Sequence, residues 1–376
     1  MKKTLLIVAA LFAGVSAFAQ TYGEITDVKS HEVYTPSFKS DASSKAPVNV
    51  ILMIGDGMGL GHIASGMFVN DGAMTITNLK SIGFSRTQSY SDFTTDSAAS
   101  GTAYACGIKT YNGAIGLDAN GNVVKDIPEK LAPYGIVSGV ISTDDITGAT
   151  PGAFYAHQPS RGMSDEIFGD MANSELTFFS AGSHESYIAR PENIRQAVES
   201  KYTVVADLND PAAAVSSKLG YLPGKHLVYD MPEDGEREYL TATTEYAIQY
   251  LQQRCNKKKG FFLMVEGARI DKESHGNNYP GMVREMLDFD KAVTAAIKFA
   301  DQDGHTLVII TADHETGATV LNWAVPSKGI ADGMFSSGGH TPMPVPIFAY
   351  GPGSRKFACV QENSDVSNKI VELIKK

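Results

Sequence analysis

Carboxylate and imidazole side chains follow directly on several of the most hydrophobic segments of the sequence. Three such segments end in Asp56, in Glu266 and in the pair Asp313-His314. If these segments are strands of one parallel sheet, their carboxyl ends share an edge, and the acids lie close together there. Carboxylates gathered in this way repel one another unless a cation joins them. The pattern therefore predicts a cation site.

More metal-ligand types follow in the second half of the chain. Asp271 and His275 are four residues apart, which puts both on one face of a helix, and Lys272 lies beside them. His340 closes the glycine-rich segment 336–340. Zinc binds imidazole nitrogen and carboxylate oxygen, whereas magnesium prefers oxygen ligands. The mixture favours several divalent cations in one crevice.

A hydroxyl group on which such cations could act lies in the segment 94–103. Ser97 is expected at the start of a helix, where the helix dipole favours an anion and a zinc ion would lower the pKa of the hydroxyl. Each residue taken alone has an ordinary structural explanation, such as helix capping by Asp96 or Ser97. The coincidence of all these features favours Ser97 as the nucleophile of a metal-dependent reaction.

The elements that must position these residues are short hydrophobic runs that alternate with helical patterns. The runs predicted as buried strands are 48–54, 135–143, 261–267, 306–311 and 345–351. Apolar residues recur at three- and four-residue steps in 236–254, 282–301 and 365–376, which predicts helices. This alternation predicts an α/β fold, with a mostly parallel central sheet and helices on both faces. Right-handed crossovers then place the carboxyl ends of the strands along one edge.

Composition and the first residues of the chain bear on partners and location. The 376 residues carry 32 Lys and Arg against 42 Asp and Glu, a formal charge of −10, so nucleic acid is not expected as a specific partner. Lys2 and Lys3 precede an apolar run at 5–15, and Ala17-Phe18-Ala19 resembles a cleavage site. Residues 1–19 are therefore predicted to be a signal peptide, and the mature protein is expected in the periplasm or the medium. No cysteine near the cleavage site indicates a lipid anchor, and no membrane anchor is expected.

Residues 20–376 are predicted to form a single catalytic domain. The segment at about 160–234 is polar and rich in turn residues, which indicates an irregular insertion.

Taken together, the chain resembles the alkaline phosphatase family of metal-dependent phosphomonoesterases. The matching stretches, in the family's order, are 49–59, 95–100, 109–113, 149–151, 265–268, 270–272 with His275, 311–314 and 339–341. The resemblance implies a three-layer sandwich, and it implies hydrolysis of phosphate monoesters through a phosphoserine at Ser97. Inorganic phosphate would be the product, and family members are commonly homodimers.

The resemblance also implies two zinc ions and one magnesium ion. The ligands of one zinc would be Asp271, His275 and His340. Those of the second would be Asp56, Asp313 and His314. Asp56 would also bridge to the magnesium site, where Thr150 and Glu266 complete the protein ligands.

Two further residues acquire roles through the resemblance, and one position departs from the family. Arg161 matches the family's phosphate-binding arginine, and a lysine at the position of Lys272 can reach phosphate through water. Gly148 stands where bacterial members often have an aspartate that holds a magnesium-bound water. This departure bears on both the affinity and the identity of the third metal.

Two other functions remain open on the sequence. A phosphodiesterase of the same superfamily shares the two-zinc core, and a catalytically silent relative would keep the metals without turnover. Arg161 and the magnesium-type corner favour monoesters over diesters, and the presence of both Ser97 and Arg161 counts against a silent relative. A sulfatase is not expected, because the segment 95–99 lacks the Cys/Ser-x-Pro-x-Arg pattern.

Overall fold

The computed structural model describes residues 21–25, 28–232, 237–256, 259–325 and 328–375. The predicted signal peptide at 1–19 lies outside these residues. Within them, no helix is both long enough and apolar enough to cross a bilayer.

Strands and helices alternate along most of the chain. The strands are β1 (Thr21–Ile25), β2 (Asn49–Gly55), β3 (Ser81–Arg86), β4 (Val137–Ser142), β5 (Leu176–Ser180), β6 (Thr203–Val205), β7 (Leu219–Tyr221), β8 (Phe261–Gly267), β9 (Thr306–Thr311), β10 (Glu315–Thr316), β11 (Thr319–Val325), β12 (Ile330–Phe335), β13 (His340–Thr341), β14 (Val345–Tyr350) and β15 (Val360–Glu362). The α-helices are α1 (Leu60–Val69), α2 (Ser97–Cys106), α3 (Ile127–Leu131), α4 (Ala149–Gly152), α5 (Ser164–Asp170), α6 (His184–Ile188), α7 (Glu192–Glu199), α8 (Pro211–Val215), α9 (Lys225–Val228), α10 (Tyr239–Arg254), α11 (Arg269–His275), α12 (Tyr279–Asp303) and α13 (Asn363–Ile374).

A ten-stranded sheet forms the centre of the protein, in the order β15-β3-β14-β9-β2-β8-β4-β5-β7-β6. Strand β14 runs antiparallel to both of its neighbours, and every other pairing in this sheet is parallel. The expectation of a mostly parallel sheet is therefore confirmed. The carboxyl ends of β2, β4, β8 and β9 consequently meet at one edge.

Both faces of this sheet are covered by helices. In β2, Ile51 and Met53 pack into a core shared with helices α10 and α12. The alternate residues Val50, Leu52 and Ile54 pack into a second core, shared with helices α2 and α13. All seven residues of β2 are buried, which explains why the strand is a continuous hydrophobic run and does not alternate. The predicted α/β architecture with helices on both faces is confirmed.

Two small sheets lie outside the central one. Strands β1, β12 and β11 form an antiparallel three-stranded sheet, and β10 pairs with β13. The second pair brings Thr316 opposite His340. Because β10 begins two residues after Asp313, this pairing carries His340 to the edge where β9 ends.

The segment at about 160–234 differs from the irregular insertion that the sequence indicated. It contains β5, β6 and β7, which form one end of the central sheet, together with helices α5 to α9. Strands of three to five residues and helices of four to eight residues are too short for a hydrophobic period to stand out.

Candidate active site

Four carboxylates converge at the edge where the parallel strands end. Asp56 directly follows β2, Glu266 is the second-to-last residue of β8, and Asp313 lies two residues after the end of β9. All three are at least 93% buried, and Asp271 on α11 is also buried. The pKa of the Asp56 carboxyl is raised well above its usual range, first by burial and then by the charges of Asp313, Asp271 and Glu266. These three acids act on Asp56 because they lie close to it.

One group of side chains that commonly bind metals, Asp56, Asp313 and His314, lies around the Ser97 hydroxyl. His314 Nε2 lies 3.2 Å from Ser97 Oγ, 3.2 Å from Asp313 Oδ2 and 3.5 Å from Asp56 Oδ1. Two ligand atoms of a tetrahedral site with bonds of about 2.0–2.1 Å are themselves about 3.3 Å apart. The observed separations fit such a site, with Ser97 Oγ in its coordination range.

A second group consists of Asp271, His275 and His340. His275 Nε2 lies 3.3 Å from Asp271 Oδ2 and 3.1 Å from His340 Nε2, and His340 Nε2 lies 3.6 Å from Asp271 Oδ1. The prediction that Asp271 and His275 share a helical face is confirmed, because both lie on α11. These separations also match a tetrahedral site.

Each of the three histidines is oriented through its Nδ1 atom. His275 Nδ1 lies 2.8 Å from the Gly338 carbonyl, and His340 Nδ1 lies 2.9 Å from the Thr95 carbonyl. His314 Nδ1 lies 3.2 Å from the hydroxyl of Thr316. An Nδ1–H that donates to a protein acceptor leaves the Nε2 lone pair for a metal.

The two groups are neighbours. The Thr316 hydroxyl donates to Asp271 of the second group while it accepts from His314 of the first. The rings of His314 and His340 stack with centroids 3.5 Å apart. Two cations held here would therefore act on one bound molecule.

The close approach of these elements depends on Gly57. Its φ is +75°, and a Cβ there would lie 2.8 Å from Thr316 Oγ1 and 3.0 Å from Asp271 Cα. A larger residue would strain the backbone and separate α11 from β10.

Ser97 is held in place by the helix it begins. It is the first residue of α2, as the sequence predicted, and the Oδ1 of Asp96 accepts a hydrogen bond of 2.9 Å from Ala99 N. This cap satisfies one of the free N–H groups of the first turn. Ser97 itself is 4% exposed, so its hydroxyl faces the metal-ligand groups and not bulk solvent.

Arg161 lies beside Ser97 through its contact with Asp96. Arg161 Nη1 is 3.2 Å from Asp96 Oδ2, and the Arg161 side chain is 43% exposed. The same oxygen of Asp96 accepts a hydrogen bond from Gly113 N at 3.1 Å. Most of the guanidinium fork therefore remains accessible to an anion that enters from solvent.

The pKa values of His314 and His157 are shifted in opposite directions. Burial and then the nearby His340 lower the pKa of His314 to about 3, so this imidazole is neutral and available as a ligand.

A third group of side chains that could bind a metal consists of Asp126, Glu129 and His157, and here the pKa of the histidine is raised. Burial lowers the pKa of His157, but hydrogen bonds to Glu129 and to the Gly116 carbonyl outweigh burial and raise it to about 9. His157 is therefore a cation in an ion pair with Glu129.

A third oxygen-rich position lies between β4 and β8. The Ser142 hydroxyl donates to Glu266, and the Thr150 hydroxyl lies close enough to Glu266 to lower that carboxyl's pKa. Burial and then Asp144 nevertheless raise the pKa of Glu266 to about 8.

Several buried oxygens at this edge lack a hydrogen-bond partner. They are Asp56 Oδ1, Asp313 Oδ2 and Thr150 Oγ1. An unpaired acceptor of this kind is costly unless a cation binds it, so the residues present fit a metal cluster.

The last predicted residue, Lys272, forms an ion pair with Asp144 on the loop after β4. All eleven residues singled out in the sequence thus lie in or beside this edge. Asp144 and Thr316 belong to the same network, and the sequence pattern did not reveal them. Asp144 could have been found as an acid two residues after the end of a buried strand.

Known proteins resemble this chain over most of its length. A family model described as alkaline phosphatase matches residues 47–179 and 193–331. Alkaline phosphatase 4 of Bacillus subtilis is 32% identical, over 100% of this chain and 97% of that protein. Alkaline phosphatase from the Antarctic bacterium TAB5 is 38% identical, with a TM-score of 0.81 over 89% of this chain and 99% of that one. Two variants of the TAB5 enzyme, with a histidine replaced by glutamate or aspartate, have magnesium bound in their M3 site.

Proposed function

The chain belongs to the alkaline phosphatase family, and from that premise we propose that it hydrolyses phosphate monoesters through a phosphoserine at Ser97. The protein is thus a phosphatase of a metal-dependent family. The observation that carries the assignment is the position of Ser97 Oγ, 3.2 Å from His314 Nε2 and beside two adjoining groups of metal-ligand side chains.

The donor sets suggest which ion each group would hold. Asp271, His275 and His340 would hold one zinc, and Asp56, Asp313 and His314 a second, because imidazole with carboxylate suits zinc. Asp56, Thr150 and Glu266 offer oxygen alone, which suits magnesium. Such ions supply positive charge that stabilises oxygen anions on the nucleophile, the water and the phosphate.

The chain's own residues carry the two displacement steps. Ser97 Oγ gives its proton to solvent water and bonds to phosphorus, the ester bond breaks, and the leaving oxygen takes a proton from solvent and departs as an alcohol. Water then bonds to phosphorus, the bond to Ser97 breaks, and inorganic phosphate leaves while the serine hydroxyl is restored. The Asp96 cap fixes the first turn of α2, so Ser97 Oγ is already oriented for attack.

Arg161 would bind two phosphate oxygens through its planar fork, while Asp96 limits where the guanidinium can move. Lys272 would approach the phosphate through water. Phosphate monoester hydrolysis is among the slowest uncatalysed reactions, with enhancements up to roughly 10²¹, so strong preorganised positive charge is required.

Activity of the purified full chain tests this proposal. A chromogenic phosphomonoester and the matching diester are assayed with and without a chelator, and zinc and magnesium are measured in the same sample. Faster turnover of the monoester that the chelator abolishes supports the proposal. Faster turnover of the diester favours a phosphodiesterase, and metal content without turnover favours a silent relative.

Location, domain organisation and assembly also belong to the proposal. Export is supported by the signal-like pattern at 1–19, and a single catalytic domain by the strands from 49 to 362 that share one sheet. Sequencing the amino terminus of the mature protein tests cleavage after Ala19. Light scattering of the purified protein tests the homodimer implied by the family.

A further inference from the structure

Gly148 leaves the third metal position without a side chain that the family often supplies. It precedes helix α4 with φ −52° and ψ 151°, a backbone conformation open to any residue. Glycine is therefore not required here by its conformational freedom. Lack of space explains the glycine better, because a Cβ at position 148 would lie too close to neighbouring atoms.

The nearest of those neighbours is the carboxylate of Asp144. A Cβ on Gly148 would lie 2.8 Å from Asp144 Oδ2 and 3.1 Å from Asp144 Cγ. It would also lie 2.9 Å from the carbonyl oxygen of Asp145. The carboxylate of Asp144 thus already occupies the space into which a side chain at 148 would extend.

Asp144 has contacts that lead to the third metal position on one side and to Lys272 on the other. Asp144 N donates to Ser142 Oγ at 2.8 Å, and that hydroxyl donates to Glu266. The carboxylate of Asp144 forms an ion pair with Lys272 of α11. Asp144 therefore lies between Glu266, a proposed magnesium ligand, and Lys272, which is proposed to approach phosphate.

Buried oxygen atoms at this position also lack the partners that a cation would supply. Thr150 is 1% exposed, and its hydroxyl, although close to Glu266, makes no hydrogen bond of acceptable geometry. Asp56 Oδ1 is likewise unpaired. Magnesium keeps several waters and binds through a small number of carboxylates, so a carboxylate beside it can act directly or through a bound water.

We propose that Asp144 supplies the carboxylate of the third metal site in this chain, in place of the side chain that Gly148 lacks. The same carboxylate positions Lys272, so retention of magnesium and placement of the lysine depend on one residue. This inference rests on the proposed function, since it presumes that Asp56, Thr150 and Glu266 hold magnesium.

The test measures magnesium binding by the zinc-loaded full chain, with titration calorimetry and the magnesium-dependent rise in unfolding temperature as readouts. Asp144→Asn removes the charge and keeps the shape, and it should weaken magnesium binding about tenfold or more while zinc content stays unchanged. Asp145→Asn is the matched control, because Asp145 pairs with Arg190 at 2.6 Å and caps Thr147 N. The control should remain within about twofold of the wild type, a change of less than ~0.5 kcal/mol.

Three outcomes would overturn the inference. Magnesium affinity of Asp144→Asn within about twofold of the wild type removes Asp144 from the site. Equal losses in both variants indicate a general effect of charge. A wild-type protein that binds zinc but no magnesium refutes the third site itself. Failure of the proposed function looks different, because the wild-type protein would then lack chelator-sensitive turnover. An unfolding temperature of Asp144→Asn equal to that of the wild type without magnesium shows that the variant is folded.

Discussion

Replacing Asp96 by Asn separates the helix cap at Ser97 from the restraint on Arg161. Asparagine caps helices as well as aspartate does, so the bond from Ala99 N to Oδ1, 2.9 Å long, should persist. The amide nitrogen that takes the place of Oδ2 cannot accept from Arg161 Nη1, now 3.2 Å away, or from Gly113 N. The substitution therefore releases Arg161 while Ser97 stays on its helix.

Two opposing effects set the magnitude of the change in phosphate affinity. A released arginine must lose side-chain freedom when phosphate binds, at a cost of up to about 2 kcal/mol. Removing the negative charge of Asp96 favours the phosphate anion, but the Arg161 side chain is 43% exposed, and such a screened pair is worth only about 0–1 kcal/mol. The entropic cost of ordering Arg161 exceeds the favourable charge effect by about 1 kcal/mol, so phosphate should bind more weakly. The inhibition constant of inorganic phosphate should therefore rise about fivefold.

Competitive inhibition by phosphate is measured for the wild type, Asp96→Asn, Arg161→Ala and the double variant. In the Arg161→Ala background, Asp96→Asn should no longer weaken phosphate binding, because the lost restraint acts through the guanidinium. Only the charge effect should remain there, and it tightens binding by at most about 1 kcal/mol. Tighter phosphate binding by Asp96→Asn would refute the reasoning, since the lost negative charge would then dominate. An equal effect in both backgrounds would show that Asp96 does not act through Arg161.

The structure supports three more predictions. Arg161→Ala should weaken phosphate inhibition by about 2–3 kcal/mol, the scale of a pair of charge-assisted hydrogen bonds, and an unchanged inhibition constant would contradict the clamp. Metal-free protein should lose stability as pH rises from about 4.5 to about 8, because the pKa of Glu266 is raised to about 8 in the fold. Denaturant titrations with and without metals check this, and a loss equally large in the loaded protein would contradict it. His157, whose pKa is raised to about 9, stabilises the fold below its unfolded pKa of about 6.5, and that contribution disappears as pH rises through about 9. The unfolding temperature of His157→Gln should thus approach that of the wild type at high pH, and a gap that stays constant with pH would count against the ion pair.

Much of the fold could be predicted because the central strands are buried on both faces. Strand β2 is hydrophobic throughout, and Asp56 is the first acid after it, so the position of the site followed from the position of the strand. The hydrophobic run of β14 predicted a strand but could not reveal that it runs antiparallel to its neighbours. Hydrophobicity reports burial, whereas direction depends on the connections between elements.

Strand β3 was not predicted because its pattern is reversed. Its buried positions are Ser81, Gly83 and Ser85, while Ile82 and Phe84 face outward. Gly83 is small because a Cβ there would lie 2.3 Å from the Cys359 carbonyl and 2.4 Å from that of Phe357. Close packing of a neighbouring segment selects small residues, and this selection leaves no hydrophobic signal in the sequence.

The site was predictable where side chains follow strands, and less so where two loops meet. Asp144 stands next to Asp145 in a turn, and acids are common in turns. Only the structure shows its carboxylate in the space beside Gly148 and in contact with Lys272. The proposal that Asp144 takes the place of a side chain at position 148 depends on where the two residues lie in space. Their spacing along the sequence does not reveal it.

The central claim is that Ser97 is the nucleophile between two metal-binding groups, and trapping the reaction intermediate tests it most directly. Metal-loaded protein in steady-state turnover is quenched in acid, digested and analysed by mass spectrometry, with Ser100→Ala and Ser97→Ala treated in parallel. We expect one phosphoryl group on the peptide that contains Ser97, in the wild type and Ser100→Ala but not in Ser97→Ala. A phosphoryl group on another residue, or undiminished turnover by Ser97→Ala, would contradict the account.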